Sequence, residues 1–546
     1  MTNTDIFLGS GASLTFVPEV PLYIKLHADT AGANKTQARL HGDLSTKILL
    51  VNDLYIGCQM DFYNNGTYLS THTITGNTAE IITFTPEVPT SIVIADDYFI
   101  IRAYGAPCVG PKSGTTARLN ADNWLGLLES AEFPNVEVEV KQMNLSLGGS
   151  RNMTYQYKGI ETASGGNLNV VANHGAWLYY ALGKCTSITA SLVEDAPPND
   201  FAGNTAGGFY IDAGNAGAAS DHVIDEMVST GPLFYKCASA TTNGSTKTLL
   251  PPVLKGSDVN TDMELLRSPI ISSGSIDHEI IYTFQEADGE DLPSFTLEQT
   301  LSKLPSSNTY VTNATGSANQ LEDLNFVRLA RGNRVNTFTM TANENEEVKM
   351  TMDLSTRTVN KLNQDESYEA RGGEPTNTSL VNYDSAEELR EPFFFSRGSF
   401  SIFGQQFLKV TNMQLTINNN LQEKRFIGVG NTSIQDSIPS NRMYELSFTA
   451  LVTDDLLFQE LFNRDENVGT SVVTSGTDVA TAGKIDLQFD KVGGTGEEIN
   501  ISFKNYFLES ANFTIPDDKG PITVEAMVKP RDLDACTVKT HWVLQG

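Results

Sequence analysis

The feature that most constrains this fold is a strand that occurs twice. Val140 to Gly149 reads VKQMNLSLGG, and Val410 to Asn419 reads VTNMQLTINN. Val140, Met143 and Leu145 meet Val410, Met413 and Leu415, and Leu147 meets Ile417. Both alternate apolar and polar side chains, the pattern of a strand with one face buried. The order of the downstream segments also repeats. A polar loop from Gly148 to Gly166 leads to the strand Leu168–Val171 and a short apolar block, Ala176–Gly183. A polar loop from Asn418 to Arg442 leads to Tyr444–Phe448 and the block Asp454–Phe462. Leu178 with Leu182, Leu457 with Leu461 and Phe458 with Phe462 have helical spacing. Thr453 can cap the second helix, and Asp454 and Asp455 suit its positive end. Alternation alone would describe any β-protein; shared order predicts two copies of one domain.

The ends of the copies agree as well. Asn336-Thr337-Phe338-Thr339-Met340 precedes a turn and the strand Val348–Met352. Ala511-Asn512-Phe513-Thr514-Ile515 precedes a turn and the strand Ile522–Ala526. Strand rhythm also marks Phe295–Leu297, Ile485–Phe489 and Ile499–Phe503. The expected fold is therefore mainly β. It has two tandem β-sandwich or barrel domains, each with one short flanking helix, and an extra N-terminal β-rich domain.

The expected boundaries are 1–113 for the N-terminal region, 114–360 and 391–546 for the two copies, and 361–390 for a polar connector. The N-terminal region carries an echo, Phe16-Val17-Pro18-Glu19-Val20-Pro21 and Phe84-Thr85-Pro86-Glu87-Val88-Pro89, whose prolines mark strand ends or edges. A Gly- and Pro-rich linker runs from Gly105 to Thr116. A segment of about 190–275, rich in Gly, Ala, Ser and Asn, interrupts the first copy. Ser385-Ala386-Glu387-Glu388 reads as a capping box opening a short helix in the connector. Phe393-Phe394-Phe395 reads as a core strand that opens the second copy.

Chemistry is sparse. Seven histidines are scattered, and none forms a metal spacing such as HExxH. Asp221-His222 with Asp225 and Glu226 reads as a solvated cluster, and Glu286–Asp291 as an acidic hairpin tip rather than a calcium loop. No nucleophile elbow or phosphate loop is present. No catalytic residue, cofactor or metal is expected. Five cysteines, odd in number and never spaced CxxC, suit a reducing compartment rather than a disulfide scaffold. The N-terminus lacks the basic and apolar regions of a signal peptide, and no apolar run is long enough to insert in a membrane. With 37 basic and 66 acidic residues the formal charge is −29, which opposes gripping nucleic acid but suits a wall that repels phosphate.

Glu391-Pro392-Phe393-Phe394-Phe395, the run Val410–Leu421, Tyr444–Ala450 and Gly520–Val524 resemble the C-terminal half of two-domain tail tube (major tail) proteins of tailed bacteriophages. Arg151 to Leu182 is similar to the N-terminal half. The resemblance covers about residues 114–546. It implies a structural virion protein whose domains form six-domain rings around an inner β-barrel. A chain with two such domains gives homotrimeric rings, pseudo-hexamers, stacked into a helical tube. It further implies assembly in the host cytoplasm and contact with tape measure, terminator and distal tail or baseplate proteins. Double-stranded DNA would pass through the lumen without specific binding. The long loops would touch the next ring or subunit, with Gly148, Arg151, Tyr155, Tyr157, Asn418, Asn420, Arg425, Phe426 and Arg442 as contact candidates.

The competing reading is a virion-fibre or cell-surface binding protein with a carbohydrate- or receptor-binding N-terminal module. It predicts an exposed aromatic platform and no continuous self-assembly. A carbohydrate-active enzyme would need two apposed carboxylates in a cleft, and no motif points to them.

Overall fold

The computed structural model describes residues 12–19, 22–25, 36–39, 58–64, 67–78, 81–89, 97–101, 127–143, 155–190, 194–195, 209–212, 233–237, 263–265, 280–287, 292–302, 325–362, 391–402, 405–406, 409–426, 434–453, 484–491, 496–517 and 519–540. The expected helices at 385–388 and 454–462 and the linker at 105–116 lie outside them.

The chain opens with β1 (Ala12–Pro18). Six further strands come next: β2 (Leu22–Lys25), β3 (Gln37–Arg39), β4 (Gln59–Asn64), β5 (Thr67–Asn77), β6 (Ile81–Thr85) and β7 (Asp97–Ile101). They form one antiparallel sheet in the order β2-β7-β4-β5-β6-β3. Met60 and Phe62 alternate with polar neighbours, and both are buried with Ile74, Phe84 and Phe99.

The first copy contains β8 (Leu127–Glu132), β9 (Asn135–Met143), β10 (Tyr155–Ser164), β11 (Asn167–Val171), helix α1 (Ala176–Leu182) and β12 (Gly183–Ala190). In the interrupting segment, β13 (Glu194–Asp195), β14 (Phe209–Asp212), β15 (Leu233–Cys237) and β16 (Met263–Leu265) make a small sheet of their own. The copy continues with β17 (Ile280–Glu286), β18 (Phe295–Ser302), β19 (Asn325–Asn343), β20 (Lys349–Ser355) and β21 (Thr358–Leu362). The second copy has β22 (Phe393–Ile402), β23 (Gln405–Gln406), β24 (Val410–Asn418), β25 (Gln422–Lys424), β26 (Asp436–Ile438), β27 (Met443–Leu451), β28 (Ile485–Lys491), β29 (Glu498–Thr514) and β30 (Thr523–Thr540).

The duplication is visible in one ladder. Eight strands pair antiparallel in the order β29-β30-β27-β24-β19-β20-β11-β8. This is one four-strand unit written twice. β29 corresponds to β19, β30 to β20 continued by β21, β27 to β11, and β24 to β8. Each unit also adds a hairpin partner and then an outer strand: β28 and β22 on β29, and β18 and β1 on β19. Backbone bonds support the register, since Ala172 N donates to Val348 O at 2.8 Å and Val452 N donates to Ile522 O at 2.9 Å. Alternation puts Phe338, Met340, Met350, Leu415, Ile417, Leu446 and Phe448 in one core with α1, while Thr, Asn, Gln and Ser hold the other face.

Two expectations change. Val140 to Met143 does not take the place of Val410 to Met413. It lies in β9, which among the described residues pairs only with β10 in an exposed two-stranded arm, and the counterpart of β24 is β8. Both strands alternate because both carry an apolar face; alternation does not say which chain covers it. Second, residues 12–18 do not join the N-terminal sheet. β1 pairs with β18 from Ala12↔Leu301 to Pro18↔Phe295. The two halves of the Pro-rich echo therefore sit in different sheets. Glu19 is buried and accepts hydrogen bonds from Ser294 Oγ (2.5 Å), Thr296 Oγ1 (2.6 Å) and Gly332 N (2.7 Å), whereas Glu87 is exposed.

Helix α1 has no side-chain N-cap and no acid in its first turn. Burial of Trp177 through Leu182 stabilises it instead. Gly175 precedes it because a Cβ there would lie 2.5 Å from Val538 Cγ2 of β30, where the second copy crosses the first.

Candidate assembly interface

The two copies meet where β24 pairs with β19, from Thr337↔Asn418 to Asn343↔Asn412. Ile417, Leu415 and Met413 oppose Phe338, Met340 and Ala342, and all six are buried. Burial of a large apolar side chain contributes roughly 1.5–3 kcal/mol, so this seam is a strong one.

Beyond β24 the chain turns at Asn418-Asn419-Asn420. Asn420 has a left-handed backbone, φ 46°, and its N–H donates to Asn418 Oδ1 at 2.9 Å, a turn that asparagine favours. Asn419 is buried and donates from Nδ2 to Ala181 O and Val335 O, both at 3.0 Å. Arg442 donates from Nε to Asn419 Oδ1 (2.8 Å) and from Nη2 to Leu182 O (2.9 Å). The second copy thus caps carbonyls at the end of the first copy's helix, groups that a helix leaves without internal partners.

The short arm β25–β26 seats on the first copy. Arg334 of β19, only 2% exposed, donates from Nη1 to Ser437 O (2.5 Å) and to Asp436 Oδ1 (3.1 Å). Ser355 Oγ and Ser437 Oγ lie 2.9 Å apart. Arg425 Nη2 donates to Glu161 O at 3.0 Å, tying this arm to the arm of the first copy.

A third contact uses the start of β22. Phe393 N donates to Ala172 O (2.8 Å), Val348 N to Phe393 O (2.8 Å) and Phe395 N to Glu346 O (3.1 Å). Phe393-Phe394-Phe395 therefore bonds the β19–β20 turn of the first copy, while Phe393 and then Gly398 to Ser401 pair with β28 of the second. Nearby, Lys491 and Glu497 form a buried pair at 2.5 Å, and Thr540 Oγ1 donates to Glu497 at 2.7 Å. Burial, with Lys491 beside it, holds His174 near a pKa of about 3, so the imidazole stays neutral.

The counterpart surfaces face outward. β9 and β10 expose Val136, Val138, Val140, Met143, Tyr155 and Tyr157. Among the described residues, β8 pairs on one side alone, and the second half of β29 pairs only with β30.

Of the candidates, Asn418, Asn420, Arg425 and Arg442 come together at the junction between the copies within the chain. Phe426 is exposed just past β25, and Tyr155 and Tyr157 are on the arm. Gly148 and Arg151 lie outside the described residues. Sequence reasoning missed Arg334, Asn419 and Glu19. The available signal was an arginine and a glutamate at positions that their strand surroundings bury. Among the described residues, no three His, Cys, Asp or Glu side chains form a metal-binding group, and no helix is long and apolar enough to cross a membrane.

A profile of the family described as "Phage tail tube protein" matches residues 103–515. No curated protein matches the chain.

Proposed function

The chain belongs to the phage tail tube protein family, and from that premise we propose that three copies close into a ring and rings stack head to tail into the conduit for DNA ejection. The observation that carries this reading is the ladder. β24 and β19 join the two copies inside the chain, while among the described residues their counterparts, β8 and the second half of β29, are open on one side. Joining β8 of one chain to β29 of the next repeats the internal seam. Open strand edges favour such pairing, and closure removes them. Three chains of eight ladder strands then make a 24-stranded barrel with six quasi-equivalent units.

Burial supports the same seam. Met340 pairs with Met350, as Phe513 pairs with Val524. Met340 is 0% exposed beneath β24, whereas Phe513 is 37% exposed at the outer edge. In this reading the first unit comprises β1 and residues 127–362, the second residues 393–540, and residues 22–101 are an insertion on the outside. The polar face of the ladder lines the channel. It carries Gln414, Thr416, Ser447, Thr449, Thr339 and Thr351 with Glu445, Glu525 and Asp353, while Lys349 is paired with Glu129 and Lys529 with Glu509. Such a wall offers phosphate hydroxyls and amides but few unpaired cations, which suits passage without binding. Ring stacking leaves terminal rings for the tape measure, terminator and distal tail proteins to meet.

Negative-stain microscopy and native mass measurement of the purified chain test the proposal. Hollow tubes, with rings of three chains in partly assembled samples, are expected. Phe513→Asp should leave a folded monomer that forms neither. Stable wild-type monomers at high concentration would sink the reading.

A further inference from the structure

Resting on the ring reading, we propose that the β9–β10 arm of each chain clasps the second copy of the next chain, with Tyr157 seated on Phe507 and Lys529. The template is the clasp inside the chain, where the β25–β26 arm seats on Arg334 and Ser355 of the first copy.

Register identifies the counterparts. Met340↔Met350 and Phe513↔Val524 correspond, and both ladders bulge at the same step, between Val335 and Thr337 and between Leu508 and Ser510. Just before that bulge, Arg334↔Ser355 corresponds to Phe507↔Lys529. The strands that carry the arms share another bulge, between Val410 and Asn412 in β24 and between Leu128 and Ser130 in β8. Counted from it, Asn418↔Met443 falls on Val136↔Ala163. Glu423↔Ser437 of one arm then falls on Lys141↔Tyr157 of the other, with no residue inserted or lost.

The two arms are one element in two chemistries. Tyr157 stands in the place of Ser437, and Gln156 in the place of Asp436. Arg334 is replaced by a phenyl ring and its carboxylate partner by an amide, so seat and arm change together. Tyr157 can pack on Phe507 and offer its ring face to Lys529, whose ammonium also reaches Glu509 at 3.0 Å. Burial marks which clasp the chain closes by itself. Arg334 and Ser437 are 2% and 0% exposed, whereas Phe507 and Tyr157 are 36% and 50% exposed.

The seam sets the direction. The β25–β26 arm follows β24 onto the copy whose β19 meets it, so the β9–β10 arm follows β8 onto the copy whose β29 meets it, the second copy of the next chain. The chemistry also sorts the partners. The β9–β10 arm on Arg334 would bring Gln156 where a buried guanidinium needs a carboxylate, and Asp436 on Phe507 would set a carboxylate against an aromatic ring. Each seat accepts one arm, so first and second copies alternate around the ring.

Tube assembly by the full chain tests the clasp in two ways. Phe507→Ser should raise the protein concentration needed for tube formation by about tenfold or more, and Phe507→Tyr, which keeps a ring, should assemble as the wild type does. Tyr157→benzoylphenylalanine keeps the ring and adds a photoreactive ketone. Irradiated tubes of this variant should carry adducts at Phe507 or Lys529 of another chain, in covalent species that stop at trimers. Adducts within one chain or on other strands would overturn the proposal, as would ladders longer than three chains, which would place the contact between rings. Wild-type assembly by Phe507→Ser would overturn it while leaving the ring reading intact. Failure of the wild type to form rings would instead defeat the ring reading, and this inference with it.

Discussion

Arg334 shows how a single side chain can hold two domains together. It stands in β19 among buried residues, and its guanidinium reaches the arm of the other copy, 102 positions along the chain at Asp436. Removing one member of a buried, charge-assisted contact leaves the other without its partner, at a cost of about 2–4 kcal/mol. Arg334→Met should therefore lower stability by roughly that amount in urea unfolding, measured in a Phe513→Asp background so that assembly does not mask the loss. A change within error would show that the arm seats without it. The sequence announced the polar cluster Asn418 to Arg442 because its residues are near neighbours in a loop. It could not announce Arg334, whose partner is set by tertiary pairing.

At the scale of elements, strand rhythm was legible almost everywhere, and the identity of the covering partner was not. Phe400, Leu446 and Val170 alternate as expected and are buried within the chain. Val136, Val138 and Val140 alternate equally well and are exposed. An isolated two-stranded hairpin is marginal in water. In the proposed ring, β9 and β10, with apolar side chains exposed on the arm, are a contact surface for another copy. The repeat legible at Val140 is displaced from its structural counterpart because both strands alternate, while β24 is buried in the ladder and β9 is exposed. Val138→Asp with Tyr157→Asp should change monomer stability by no more than about 0.5 kcal/mol, because neither side chain is buried. Tube formation should nevertheless fail or need far more protein. Normal tubes, counted by microscopy at matched concentration, would remove the arm from the assembly interface.

For the whole molecule, the mainly β character was the most legible property, because alternation runs through most of the chain. The place of the first strand was hidden. β1 meets β18 across some 280 positions, and no local pattern records a partner at that separation. Its pairing changes what the N-terminal region is. A free-standing module could be removed with everything before residue 114. An insertion can be removed only between β1 and β8. The N-terminal region touches the first copy at Arg357 Nη1 and Cys58 Sγ, 3.5 Å apart, and removal of the six-stranded sheet opens none of the ladder. Replacing residues 22–101 with a short flexible linker should therefore preserve tubes of the same lumen and smaller outer diameter. Deleting residues 1–21 should abolish them, since it removes the strand on β18 and uncovers the Glu19 site against Ser294, Thr296 and Gly332. Image averages of both variants decide the matter. Tubes from the second variant and none from the first would show that the six-stranded sheet, not β1, carries the contribution of this region to assembly.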